Sequence, residues 1–276
     1  MLLHAPAKLN LCLYLGPRRD DGLHELCSLF EPLALADLIT VSEAEVDEVV
    51  CPGVEGENLA ARALAGLRER GWGRPPLRVE IEKRVPVAAG LGGGSGDAAA
   101  ILRLAVGEVD DLPGLAAELG ADVPSQLEPS PALVRGAGER VELLPKPAPH
   151  VAVLLPDGGG LSTAAVFAEA DRLGLGRGNE ELEALGDRLR EAAGAGASPL
   201  AYPELLTNDL AAPARSLRPA IGDALDELRE AGAPIALLSG SGPTAVGLFP
   251  DLAAARAAAE TIDRDDAIVC AAGVAP

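Results

Sequence analysis

Lys8 and Asn10 stand two residues apart in the run Pro6-Ala7-Lys8-Leu9-Asn10-Leu11. On a strand, residues i and i+2 project from one face, so the two polar groups share it. Buried there, they need partners and mark a built site; exposed, they are an ordinary strand start. A second cluster is the glycine-rich run Pro86-Val87-Ala88-Ala89-Gly90-Leu91-Gly92-Gly93-Gly94-Ser95-Gly96. Successive glycines let backbone N–H groups turn inward with no Cβ in the way, and a following helix adds its positive end. That combination cradles an anion; without a helix behind it, the same run is a flexible turn capped by Ser95. The P-loop ending GK[ST] is absent, and the acidic residue required by a dinucleotide fingerprint does not follow. Asp97, expected in the first helical turn, complements the helix dipole or helps hold a cation. In Leu119-Gly120-Ala121-Asp122-Val123-Pro124 a carboxylate sits at a turn after a helix, where by itself Asp122 is an ordinary turn aspartate. A fourth cluster, Leu238-Ser239-Gly240-Ser241-Gly242-Pro243-Thr244, is a small-residue loop open to close backbone approach, or simply a hairpin turn.

The elements that must position these residues are readable from periodicity. Strands are expected at Leu9 to Gly16, Leu38 to Glu43 and Leu77 to Lys83, with Asn58 capping a helix that runs to Gly71. The third strand leads into the glycine loop and an Ala/Leu-rich helix with Ser95 as its expected N-cap. A short helix at Leu112 to Leu119 and a strand at Arg140 to Leu144 precede the cluster Pro145-Lys146-Pro147-Ala148-Pro149, which we read as a domain boundary. Beyond it come strands at Val151 to Leu155, Ile235 to Ser239, Ala245 to Phe249 and Ala267 to Ala271. Helices are expected at Thr163 to Leu173, Glu180 to Ala193, Pro213 to Ala231 and Leu252 to Ile262, with Gly194 to Ala197 as a flexible loop. Strands and helices alternate without a regular βα repeat, so the expected class is α+β, in two domains, residues 1–147 and 148–276.

Composition narrows the partners. The 276 residues carry 23 Lys plus Arg against 42 Asp plus Glu, a net charge of −19 that repels phosphate backbones and anionic lipid. An anionic substrate must then be met by backbone N–H groups or a few local cations. Aromatics are only 2%, so the core is built from aliphatic side chains. No apolar run reaches membrane-spanning length and the start lacks a secretory pattern, which leads to a cytoplasmic expectation. The expected partner is a small molecule, not nucleic acid or membrane, bound by a monomer or homodimer. Cys12, Cys27, Cys51 and Cys270 show no paired spacing and read as reduced core thiols.

Taken in order and spacing, the four clusters resemble the kinase superfamily named for galacto-, homoserine, mevalonate and phosphomevalonate kinases (GHMP kinases), along nearly the whole chain. Within it, PAKLNLCLYLGPRRDDGLHEL and LGADVP are similar to the 4-diphosphocytidyl-2-C-methyl-D-erythritol kinase family. The resemblance implies a GHMP-kinase-like fold with an N-terminal ATP-binding domain and a C-terminal ferredoxin-like α/β sandwich. It also implies ATP as phosphoryl donor with Mg²⁺, the run from Pro86 to Gly96 wrapping the phosphates, and Ser95 near the cation. Lys8 and Asp122 become the catalytic pair, Asp122 accepting the substrate's hydroxyl proton and Lys8 offsetting charge. Asn10, His24, Phe167, Gly240 and Ser241 become substrate-binding. On its own His24 reads as a loop histidine and Phe167 as helix core. Arg18, Arg19 and Lys83 are candidate phosphate contacts.

Three departures from the family pattern stand out. Leu23 occupies the place of the usual tyrosine that stacks on the base. Gly96 replaces the second serine of GGGSS, and the stretch from Ser125 to Val141 is more acidic and proline-rich than its counterparts. The alternatives are a related kinase for another small alcohol, such as homoserine or phosphomevalonate, or a non-catalytic nucleotide or metabolite sensor.

Overall fold

The structure, a computed structural model, describes residues 1–54 and 56–272. The chain opens with two long antiparallel strands, β1 (Leu2–Arg18) and β2 (His24–Glu43). There follow β3 (Glu48–Val50), α1 (Leu59–Glu69), β4 (Leu77–Glu82), α2 (Gly93–Arg103), α3 (Leu112–Leu119), α4 (Val123–Gln126), β5 (Ala132–Gly136) and β6 (Arg140–Leu143). The second half runs β7 (Val151–Leu155), α5 (Thr163–Leu173), α6 (Asn179–Gly194), two short 3₁₀ turns, α7 (Ala211–Leu217), α8 (Ala220–Glu230), β8 (Ile235–Leu238), β9 (Ala245–Phe249), α9 (Leu252–Ile262) and β10 (Ile268–Ala271).

Two sheets result. The first is ordered β3-β4-β2-β5-β6, with β1 paired to β2. The second is antiparallel, ordered β10-β7-β9-β8, with α8 and α9 packed on it. Its β7, β8, β9, β10 succession, with helices between the first and last pairs, is the ferredoxin-like arrangement. This is the α+β class expected from the sequence. No helix among the described residues is long and apolar enough to cross a membrane.

Strand β1 is the spine of the molecule. Ala5 lies in the apolar cluster beneath α1 and α2; Ala7, Leu9, Leu11 and Tyr14 join a cluster shared with Ala152, Leu154 and Leu189; Leu13 and Leu15 reach a third cluster with α7, α8 and the second sheet. Buried on both faces, it reads as an almost unbroken apolar run instead of an alternating one. Each fully buried leucine contributes about 1.5–3 kcal/mol, so a polar pair on this strand is held against a large apolar background.

The structure revises several sequence expectations. β1 and β2 are far longer than the segments Leu9 to Gly16 and Leu38 to Glu43, and β5 falls within the proline-rich stretch after Pro124. The expected helix Pro213 to Ala231 is two helices, because Pro219 disfavours helical backbone at Arg218, which sits at φ −142° and ψ 87°. Ser95 is not an N-cap: α2 starts at Gly93 and is capped by Gly92 in the left-handed region at φ +68°. Asp97 accordingly lies beyond the first turn. Gly194 to Ala197 is a helix end, tied back where Ala148 N–H donates to the Gly196 carbonyl at 2.8 Å. Cys12 and Cys27 are buried thiols, while Cys51 and Cys270 are only half-buried; all four are free.

Candidate active site

Lys8 is 4% exposed and its ammonium is fully engaged. It donates to Asn10 Oδ1 at 2.5 Å, pairs with Asp122 Oδ2 at 3.2 Å and lies 4.6 Å from the centre of the Phe30 ring. Asn10 keeps its oxygen toward Lys8 because its Nδ2 donates to Ser28 Oγ at 2.9 Å on β2. Asp122 enters from the turn between α3 and α4, its side chain a third exposed. The shared face of Lys8 and Asn10 is therefore buried and partnered. A cation, a carboxylate and an amide meet where the carboxylate side chain is still a third exposed, an arrangement able to take a proton from an incoming hydroxyl.

The glycine loop descends on this cluster from the side of α2. Lys8 N–H donates to the Leu91 carbonyl at 2.9 Å, and a Cβ on Gly92 would lie 2.8 Å from Lys8 Cγ. No side chain caps α2, so the N–H groups of its first turn are left for an external acceptor. The loop also touches the Leu238–Thr244 segment: Ser239 Oγ donates to the Gly90 carbonyl at 3.0 Å, and a Cβ on Gly90 would meet the Gly242 and Ser239 carbonyl oxygens at 2.7 Å. A Cβ on Gly96 would stand 3.0 Å from the Pro6 carbonyl, so a residue without a side chain suits this close approach of α2 to β1.

Behind the loop lies a buried ion triad. Lys83 pairs with Asp37 and, at 2.8 Å, with Asp97. Asp37 Oδ1 accepts the N–H groups of Arg84 at 2.6 Å and Val85 at 2.8 Å, fixing the root of the loop. Burial pushes the Asp97 carboxyl up to about 6, Lys83 opposing and the Asp37 charge adding to the rise. Burial disfavours the Lys83 ammonium, but its two carboxylates outweigh that and raise it. Both directions follow from one positive charge shared between two negative ones. Lys83 is thus committed to carboxylates, and Asp97 turns its Oδ2 to that ammonium, beyond the first turn of α2.

One cavity of about 760 Å³ joins the Lys8 cluster to the glycine loop, with the triad outside its wall. Lys8, Asn10, Gly90, Gly92, Ser95 and Asp122 line one portion, and Gly240 and Ser241 come from the second half of the chain. At the other end His24 and Phe167 meet with ring centres 5.3 Å apart, and His24 Nε2 lies 2.8 Å from Asp171 Oδ1. Leu23 lines this end and is 54% exposed. Of the loop residues expected around phosphates, Ala89 and Leu91 are buried, while Val87 and Ala88 are exposed. Pro86, Gly93, Gly94 and Gly96 are, like these four, absent from the cavity wall. Arg18 lines the cavity, whereas Arg19 is turned to Asp21, Glu25 and Glu139. Sequence reasoning missed Phe30, Thr163 and Asp171. Thr163 and Asp171 stand four residues either side of Phe167, a spacing that could have flagged them. Among the described residues no group of three or more His, Cys, Asp or Glu side chains is arranged to hold a metal ion.

Comparison with known proteins agrees with this architecture. The model of the GHMP kinases N terminal domain matches residues 58–126, and that of the GHMP kinases C terminal region matches residues 180–266. A 4-diphosphocytidyl-2-C-methyl-D-erythritol kinase of Anaeromyxobacter sp. (strain K) is 42% identical over 94% of this chain and 83% of its own length. One of Paracoccus denitrificans (strain Pd 1222) is 42% identical over 99% of this chain and 96% of its own. The crystal structure of a 4-(cytidine 5'-diphospho)-2C-methyl-D-erythritol kinase, 35% identical, superposes with a TM-score of 0.81 over the whole of both chains. The chain belongs to the GHMP kinases and, within them, to the 4-diphosphocytidyl-2-C-methyl-D-erythritol kinase family.

Proposed function

We propose that this chain transfers the γ-phosphoryl group of ATP to the 2-hydroxyl of 4-diphosphocytidyl-2-C-methyl-D-erythritol, a step of the non-mevalonate route to isoprenoid precursors. The observation that carries the reading is the Lys8–Asp122 contact at 3.2 Å, facing a cavity with the glycine loop on one side and the His24–Phe167 pair on the other. Asp122 accepts the proton of the attacking hydroxyl as the new oxygen–phosphorus bond forms. The bond to the β–γ bridging oxygen breaks, and ADP leaves with that electron pair. Lys8 balances the charge, and Asn10, held by Ser28, keeps Lys8 in place.

The first-turn N–H groups of α2, with the run Pro86 to Gly96 around them, receive the phosphates. Mg²⁺ fits here only as a guest of the nucleotide: Ser95 is on the cavity wall while Asp97 is not, its Oδ2 being paired with Lys83, so one hydroxyl and the phosphate oxygens would hold it. When bound it would neutralise charge on the phosphates. His24 and Phe167 take the cytosine, Gly240 and Ser241 its diphosphate-linked portion. We assign nucleotide binding and catalysis to residues 1–147 and the substrate-side elements to residues 148–276.

The test is an acceptor panel. Mg-ATP is supplied with the cytidyl-diphosphate erythritol, homoserine or phosphomevalonate, and ADP release and the phosphorylated product are followed. Turnover confined to the cytidyl substrate is expected; turnover confined to another alcohol would keep the mechanism and overturn the substrate.

A further inference from the structure

Helix α5 presents Thr163, Phe167 and Asp171 to the cavity at intervals of four, one above another on a single face. The first meets Ser241 Oγ at 2.9 Å and the second lies against the His24 ring at a tilt of 37°. The third places a carboxylate oxygen 2.8 Å from His24 Nε2. An ionised carboxylate only accepts, so Nε2 must carry the proton of this bond. In the neutral ring Nδ1 is then the acceptor nitrogen, and among the described residues no side chain or backbone group is bonded to it. His24 cannot easily turn to reverse this. It is 8% exposed, and its backbone is paired with Arg18 at the start of β2.

We infer that Asp171 is a positioning residue that sets the base selectivity of the cavity, by holding His24 as the tautomer that offers an acceptor to an amino-bearing pyrimidine. The inference rests on the reading of His24 and Phe167 as the base site. Cytosine carries an amino donor where uracil carries a carbonyl acceptor. Nδ1 pairs with the first and faces the second lone pair to lone pair, leaving both unsatisfied. Leu23 supplies no ring on its side of the site, so recognition here depends on this edge contact and on Phe167. Asp171→Asn releases the tautomer: its amide can donate to Nε2 as well as accept from it, so the ring is no longer held to one form and Nδ1 can present a donor where the acceptor was.

The experiment measures binding of CDP and of UDP by calorimetry, with the nucleotide site saturated by a non-hydrolysable ATP analogue, for the wild type, Asp171→Asn and Asp171→Ala. The wild type is expected to prefer CDP by about tenfold or more, the discrimination of one good polar contact. In Asp171→Asn the ratio falls to within about threefold or inverts, and KM for the cytidyl substrate rises roughly tenfold without a matching rise in KM for ATP. A ratio unchanged in both variants, or a wild type indifferent to the base, overturns the inference. So does a loss shared equally by both substrates, which marks a structural role. Failure of the wild type to phosphorylate the cytidyl substrate would overturn the proposed function as well, whereas turnover with unaltered selectivity would overturn this inference alone.

Discussion

Replacing Gly90 by alanine perturbs the contact that closes the glycine loop onto the second half of the chain. Gly90 sits at φ +75°, a left-handed conformation that costs an alanine about 1–2 kcal/mol. Its new Cβ would also stand 2.7 Å from the carbonyl oxygens of both Ser239 and Gly242. Both obstacles are backbone, so no side chain can swing aside. The two loops must part by roughly 0.7 Å to reach ordinary contact, with an overpacking cost of about 1–3 kcal/mol. The sum is about 3 kcal/mol. The displaced loop also carries the N–H groups that would hold the phosphates, and a shift approaching 1 Å in a positioning element lowers kcat/KM on the order of 100-fold. Gly71→Ala is the control, with φ +80° and nothing within 4 Å of its Cβ. It should lose about 1 kcal/mol and no activity. Urea unfolding and the kcat/KM for ATP of both variants decide the matter. If Gly90→Ala behaved like Gly71→Ala in both assays, the account of the two loops as one packed cradle would be wrong.

Other perturbations probe the triad and the His24–Phe167 end of the cavity. Asp97 is raised in the folded protein from 3.8 to about 6, so stability tied to its proton is full below pH ~4 and is lost as pH rises through 6. Asp97→Asn should therefore flatten the pH dependence of unfolding between pH 4 and 7 by on the order of 2–3 kcal/mol, measured as urea midpoints; identical slopes in the two proteins would contradict this. Leu23→Tyr adds a ring at the exposed side of the His24–Phe167 end, the proposed base site, and should lower KM for the cytidyl substrate by at least about fivefold, from a stacking gain of about 1–3 kcal/mol. An unchanged KM would separate Leu23 from the base.

The candidate site clusters were legible in the sequence because their chemistry is local: glycines in a loop before a helix, a lysine two residues from an asparagine, an aspartate at a turn. Their convergence was expected from resemblance and is now visible as distances. What periodicity could not show is the length of β1 and β2. Burial on both faces removes the alternation by which a strand announces itself, and β5 hides behind prolines for a related reason. Ser95 looks like a cap in sequence, but α2 begins two residues before it, behind Gly92 at positive φ, and a glycine in that place leaves no side-chain signature. Lys83 carries the sequence marks of a phosphate ligand, yet Asp37 and Asp97 come from separate elements, and only the fold brings both to it. Asp171 shares a helix face with Phe167 four residues before it, but its contact with His24 joins residues 147 apart in the chain, and only the fold shows it.

The most direct test of the central claim is the turnover of Asp122→Ala with Mg-ATP and 4-diphosphocytidyl-2-C-methyl-D-erythritol, followed as ADP release beside the wild type. If Asp122 takes the hydroxyl proton, kcat falls on the order of 10²–10⁴-fold while KM for ATP stays within about threefold. A variant that kept kcat within about threefold of the wild type would place the base elsewhere and contradict the role given to the Lys8–Asp122 pair.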